Sequence, residues 1–595
     1  MKSNSNQNEK ITIKNNIKKE DVLTTNDLPQ KLEQTSSKLN LVVNNTNAIL
    51  PKNEDDIKGN NLPYGYKYDK KKNVLQRETR EGEWKIFFRS HLSVKSIYIN
   101  SETNKTNYEL AWIDHRGKER TTIQSANVCS NSRKIVELAD LGLQITSSNS
   151  KEVVEYIDEY KHHAGNEIDV KYFIERLGYH KKSFVMPHET INKKDLIFMP
   201  NSEGDKQYTE GFSKNGTLEE WKKNIFDRVK KYPYAMMFLM SSFASVLLEK
   251  FNMKPFIVEI SGNTSLGKTI SMEVASTVWG DPKTLIEKWN TTMTAVGRRA
   301  GLLRNLPLFL DDTKNGVEKM IHSIVYQFTQ GVEKTRGNLT GTQTAQTWSN
   351  IMLSTGEKKI TEFGHNAGVA GRVLTINKAP FGRNNSELVD LLEFDMCEYY
   401  GTAGIAFLEW LMNEEIAIWK ERYKLLIEEY SKMANGNNVI KRLSKNMALI
   451  HITSLMVNEA LQVDFEDSLL YDLWKEMIET NKEIDKPRQA MEDLYEQCLM
   501  NKTQFVYGPE CLEIKGAWGD WEYNNSKCNR IAMYPSKVKE LLENMGYDAN
   551  TIINEWNNKG WLKASEKRTT IAVRLILGGV KKMIVIDTDI IKQFI

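Results

Sequence analysis

The segment SGNTSLGKT sets Gly262, Gly267, Lys268 and Thr269 at the spacing G-x-x-x-x-G-K-T, with Asn263, Thr264, Ser265 and Leu266 between the glycines. The chemistry this spacing suits is the holding of a polyphosphate. Glycines let backbone N–H groups curl round phosphate oxygens at a helix N-terminus, where the helix dipole also favours an anion. Lys268 then reaches the terminal phosphates and Thr269 offers its hydroxyl to Mg2+, so the expected ligands are ATP and Mg2+. The context is the required one, because the apolar run FIVEI precedes the loop and the helix-forming run ISMEVASTVWG follows it.

Further along, the apolar run LPLFL ends in Asp311 and Asp312. Asp311 suits a metal held through its water shell, and Asp312 suits the residue that orients or deprotonates an attacking water. The alternative for Asp312 is to cap the helix expected to start near Gly316. The run SNIMLST ends in Ser354 and Thr355, where an ATPase with an additional central strand carries its γ-phosphate sensor; a hydroxyl at a strand end is also a common turn former. In GVAGRVLTI, Arg372 opens another strand and fits an arginine finger given to a neighbouring subunit, with a surface ion pair as the alternative. Arg442 in VIKRLSKNMALI suits either a second sensor in the helical lid or a solvated helix face.

Several elements must position these residues. The chain has 595 residues, which implies several domains. Residues 1–63 lack any aromatic residue and read as a disordered tail, with a short helix expected over Asp27 to Val42. Residues 64–200 read as β-rich, through WKIFFRSHLSV, KSIYINS and YELAWIDHRGKERTTIQ, with a helical segment expected from Lys151 to Arg176. Residues 201–385 hold the phosphate-binding core, and residues 386–505 read as a helical lid. In residues 506–595 two short helices precede a hairpin turning at Gly578-Gly579, the pattern of a winged helix-turn-helix.

Charge narrows the partners only locally. Eighty-one Lys plus Arg against 78 Asp plus Glu leave a net +3, so no nucleic-acid surface shows in the total. Between Lys559 and Lys582, however, seven basic residues (Lys559, Lys563, Lys567, Arg568, Arg574, Lys581 and Lys582) face one acid, Glu566, a local +6. That is the footprint of duplex or forked DNA binding, although such domains also dock proteins. The glycine-containing stretch QGVEKTRGNLTGTQTAQTW reads as an inserted hairpin, with Lys334 and Arg336 suited to a nucleic-acid backbone. Five cysteines without a CxxC pair, and no apolar run long enough for a bilayer, lead us to expect a soluble, cytoplasmic protein without a structural zinc or a membrane partner.

Taken in order, SGNTSLGKT, LPLFLDD, the insert ending in Thr347-Trp348, LSTGE and AGRVLTI resemble the cassette chromosome helicases of staphylococcal cassette elements. These are AAA+ helicases similar to the MCM replicative helicases, with a core once catalogued only as a domain of unknown function. Asp312 departs from the Asp-Glu pair common in the wider core family, and paired aspartates occur in superfamily 3 viral helicases. The resemblance implies an α/β multidomain protein: an AAA+ P-loop core with a β-rich N-terminal domain, a helical lid and a C-terminal winged helix. It further implies a homo-hexameric, ATP-driven, 3′-to-5′ motor acting on single-stranded and forked DNA, replicating a mobile element with an element-encoded primase, polymerase or single-strand-binding protein. The residues themselves reach only to an ATPase beside a DNA-binding module. Two other readings share them: an origin-binding initiator or helicase loader, and an ATP-binding scaffold without turnover.

Overall fold

Short alternating runs after residue 62 form antiparallel strands, as their period of two requires. The computed structural model describes residues 62–595 except 193–194, 263–266, 317, 335–336, 339–340, 343–344, 364–369, 383–384, 435–436, 481–485, 508–514, 525–526, 566–567 and 588–595. The tail expected over residues 1–63 and its short helix thus lie outside the described residues, save for the tail's last two positions.

In the N-terminal region, strands β1 (Leu92–Asn100), β2 (Thr106–Ile113) and β3 (Glu119–Ser125) form a meander joined by β4 (Asp169–Ile174) and β5 (Leu196–Phe198) in the order β5-β4-β1-β2-β3. Helix α1 (Ser150–Ala164) covers this sheet together with a smaller three-stranded one, burying Val153, Tyr156 and Ile157 against Phe87, Leu92 and Trp112. The helix expected from Lys151 to Arg176 therefore stops at Ala164. The remainder, DVKYFI, is strand β4, paired in parallel with Ser96 to Asn100. Its β-branched and aromatic residues fit a pleated surface, and its apolar end, Phe173 and Ile174, is buried.

The central sheet has five parallel strands: β6 (Phe256–Ser261), β7 (Ile286–Lys288), β8 (Leu308–Asp311), β9 (Ile351–Gly356) and β10 (Val373–Ile376). Their spatial order is β7-β8-β9-β6-β10. Strand β9 is thus the additional strand between the glycine-loop strand and the aspartate strand. Buried on both faces, the four strands other than the edge strand β7 are largely apolar runs, as parallel sheets require. Helices α2 (Pro233–Ala244), α3 (Lys268–Ser276), α4 (Met293–Leu303) and α5 (Glu318–Phe328) contribute side chains to the same core. From Ala235 to Ala244 every residue of α2 is buried, the behaviour of a helix apolar all round.

Beyond the sheet come α6 (Ser386–Asp395), α7 (Thr402–Leu411), α8 (Ile416–Lys432), α9 (Asn438–Leu461) and α10 (Ser468–Thr480), whose apolar faces join the core as far as Met477. Helix α11 (Lys486–Met500) packs elsewhere. Its Ala490, Met491, Leu494 and Cys498 join Trp521, Ile531, Trp556 and Ile584 in a separate cluster, and Trp556 Nε1 donates to the Pro487 carbonyl at 2.7 Å. The last helix expected in the 386–505 lid is therefore part of the C-terminal core.

The C-terminal unit comprises a short strand β11 (Phe505–Val506), the hairpin β12 (Gly519–Asn524) and β13 (Lys527–Met533), helices α12 (Pro535–Asn544) and α13 (Ala549–Asn558), and the hairpin β14 (Ile571–Arg574) and β15 (Val580–Asp587). Gly578 and Gly579 turn the last hairpin at φ 101° and 85°, values open to glycine without strain.

Candidate nucleotide site and its opposite edge

The carboxyl ends of β6, β8 and β9 open into a cleft of about 930 Å³, a size that suits a small-molecule ligand. Gly267 enters α3 at φ 75°, where a Cβ would stand 2.9 Å from the Phe381 ring, so only glycine fits. Lys268 begins α3 and its Nζ donates to the Gly262 carbonyl at 2.9 Å, which bends the side chain back over the loop. Partial burial pulls the Lys268 ammonium below its ordinary range, against the opposing carboxylates of Glu357, Asp312 and Asp311. Thr269 is exposed into the same cleft. Asn263, Thr264, Ser265 and Leu266 lie outside the described residues.

Asp311 closes β8 with its carboxylate buried. One oxygen accepts a short hydrogen bond from Thr355 Oγ1 and the other meets Lys288 Nζ at 2.5 Å. Asp312 follows at φ 63°, in the left-handed region, lines the cleft, and accepts the Lys314 N–H at 3.2 Å. It therefore caps the turn at Thr313–Asn315, one of the two uses its residue type allowed. Ser354 and Thr355 part company because successive strand residues face opposite ways. Thr355 faces Asp311 and also accepts the Asp312 N–H at 3.2 Å, whereas the buried Ser354 hydroxyl accepts from Trp289 Nε1 at 2.9 Å. Of the two, Thr355 lines the cleft.

Among the cleft residues that carried no local signal are Lys288, Phe381 and Glu273. Burial raises the Glu273 carboxyl above the usual carboxylate range, with Glu393 and Asp311 adding to the rise and Lys288 and Lys283 opposing it.

Arg372 stands at the other edge of the sheet. Its carbonyl accepts the Ile257 N–H at 3.0 Å, one residue before the β6–β10 pairing that begins at Val373. Five residue steps along the strand separate that rung from Gly262, roughly 17 Å at the usual rise. The guanidinium lies 4.9 Å over the ring of Tyr326 on α5, its Nη1 is buried without a hydrogen bond, and no carboxylate pairs with it among the described residues. Arg442, the second-sensor candidate, does not line the cleft. Its side chain crosses this same far edge, 3.4 Å from where a Cβ on Gly371 would stand. The register of α9 on the sheet carries it there.

The inserted stretch forms a hairpin between Gly337–Asn338 and Gly341–Thr342. Trp348 clamps its base, donating Nε1–H to the Phe328 carbonyl at 2.8 Å. Lys334 is exposed, and Arg336 lies outside the described residues. At the C-terminus Lys563, Arg568, Arg574, Lys581 and Lys582 are exposed, and Lys567 lies outside the described residues.

Residues 64–348 match the family model of a domain of unknown function, DUF927, and residues 485–589 match the "Cch helix turn helix domain". The second match begins one residue before α11, in agreement with that helix belonging to the C-terminal core. No curated protein sequence matches the chain. Among solved structures, one of SCCmec type IV Cch, described as an active helicase, superposes with a TM-score of 0.69 at 16% identity, covering 89% of this chain and 98% of that one. An apo structure of the NrS-1 C-terminal region covers 82% of this chain and 95% of that one at 9% identity, but its TM-score of 0.26 carries no argument. Among the described residues no helix is long and apolar enough to cross a membrane. The chain is thus an α/β multidomain protein with a β-rich N-terminal region, which shares the fold of Cch and carries the Cch helix-turn-helix domain at its C-terminus.

Proposed function

We propose that the chain is an ATP-dependent DNA helicase with an AAA+ core, working as an MCM-like hexamer in replication of a mobile genetic element. The observation that carries this reading is the meeting of Lys268, Thr269, Asp311 and Thr355 in one cleft at the carboxyl edge of the sheet. This donor set, one ammonium, two hydroxyls and a buried carboxylate, fits a magnesium nucleotide. Bound there, ATP and Mg2+ supply a phosphoanhydride to be broken and a cation on its phosphate oxygens. Lys268 holds the terminal phosphates; Thr269 and Asp311 hold the metal; Thr355 keeps Asp311 oriented and stands where a γ-phosphate sensor belongs. Asp312 orients the attacking water.

Arg372 is too far from its own cleft to serve it. A guanidinium without a carboxylate partner among the described residues, at the opposite edge, suits the nucleotide of a neighbouring copy, which supports hydrolysis between subunits of a ring. Lys334 on the hairpin, and the exposed basic residues of the C-terminal winged helix, suit phosphate contacts with single-stranded and forked DNA. Purified protein is expected to unwind a forked duplex with ATP, in the 3′-to-5′ direction, and Lys268→Ala to abolish unwinding. Hydrolysis of ATP by the wild type without strand separation would defeat the helicase reading.

One observation favours the initiator or loader as a second reading. The exposed face of α13 carries Asn550, Asn554 and Asn558 one turn apart. Asparagine can bond an adenine edge in the major groove through two hydrogen bonds, so this face suits sequence reading. Footprinting on element DNA against random duplex separates the two, since a motor binds both alike.

A further inference from the structure

Lys288 is the last residue of β7, and the parallel register sets it beside Asp311. Its Nζ lies 2.5 Å from Asp311 Oδ2. The two partners differ sharply in freedom. The Asp311 side chain is 5% exposed and its other oxygen is held by Thr355, whereas the Lys288 side chain is 60% exposed on a flexible four-carbon stem. The carboxylate is fixed and the ammonium can leave into the cleft.

A buried carboxylate needs a compensating positive charge. In the nucleotide site proposed above, on which this inference rests, the divalent cation would bring its charge to the same carboxylate. Whether held directly or through its water shell, that cation and the Lys288 ammonium repel each other across one carboxylate in a partly buried cleft, so Lys288 and the metal compete for it. Lys268 is turned to its own loop, where its ammonium donates to the Gly262 carbonyl.

We propose that Lys288 is a cation placeholder: it neutralises Asp311 while the cleft holds no nucleotide, yields the carboxylate to the arriving divalent cation, and transfers its ammonium to the polyphosphate. Metal alone then binds against Lys288, while metal with nucleotide binds with Lys288 resettled on phosphate. The two ligands are coupled through one side chain, and by linkage each raises the other's affinity by the same factor.

The test is Mn2+ affinity, read by paramagnetic resonance on the full chain, with and without a non-hydrolysable ATP analogue. Lys288→Met keeps the stem and removes the charge; Lys288→Arg keeps the charge. Lys288→Met is expected to bind Mn2+ alone about fivefold tighter or more, and to lose the analogue's enhancement of Mn2+ affinity by the same factor. Lys288→Arg should keep most of the coupling. Unchanged or weaker Mn2+ binding by a folded Lys288→Met protein, or undiminished coupling, overturns the placeholder while leaving the nucleotide site standing. Failure of the wild type to bind Mn2+ with the analogue overturns the nucleotide reading itself.

Discussion

One parallel sheet presents two unlike edges. At the carboxyl edge, Asp311 is compensated by Lys288 and Thr355, while Lys268 is tied to its own loop. At the amino edge, Arg372 rests on an aromatic ring with a buried, unbonded nitrogen, and Arg442 lies alongside without a carboxylate partner among the described residues. The first edge is satisfied within the chain. Among the described residues the second carries two guanidinium groups without a carboxylate partner, which suits the proposed site divided between two copies.

The largest effect should come from Lys268→Ala, which is expected to abolish ATP turnover by removing a charge aimed at the phosphates. Phosphate release with single-stranded DNA present would measure it. Arg372→Ala should bind ATP normally yet lose about a thousandfold in turnover. Mixed with Lys268→Ala protein it should recover part of that activity, because each mutant supplies the edge the other lacks. Absence of recovery in mixed rings would erase the distinction between the edges.

Tyr326 offers a finer probe. Removing its ring from beneath Arg372 forfeits about 0.5–2 kcal/mol, a loss of roughly 2- to 30-fold in kcat with KM unchanged, and Tyr326→Phe should restore most of it. The smallest expected effect is on stability. Burial raises the Glu273 pKa in the folded state, so its ionisation opposes folding as pH rises from its unfolded pKa to its raised folded one. Glu273→Gln should therefore raise Tm slightly at neutral pH and leave it unchanged in acid, where the wild type already holds its proton.

These expectations differ in how far the chain's own letters support them. Gly262 to Thr269 and Asp311 were readable because phosphate and metal chemistry constrain residues that are near neighbours in sequence. Choosing between Ser354 and Thr355 required the pleat, which turns one hydroxyl to Trp289 and the other to Asp311. Lys288 escaped notice because its significance lies in the register of β7 on β8, a pairing with no local mark. The same blindness explains α11: an amphipathic period announces an apolar face but not which core will cover it. In DVKYFI, alternation and aromatic content outweighed the helical spacing that precedes them, and parallel pairing with β1 decided the matter.

The clamp at the foot of the inserted hairpin has a mechanical consequence. Trp348 stacks on Phe328 at 6.3 Å between ring centroids and is bonded to its carbonyl, and Tyr326, under Arg372, stands two residues earlier on the same helix. Hairpin, helix and guanidinium therefore form a single stiff linkage. In the proposed ring, a pull on the hairpin would be delivered to Arg372 at the boundary with the next copy, so that load on DNA and readiness to hydrolyse next door would travel along one lever.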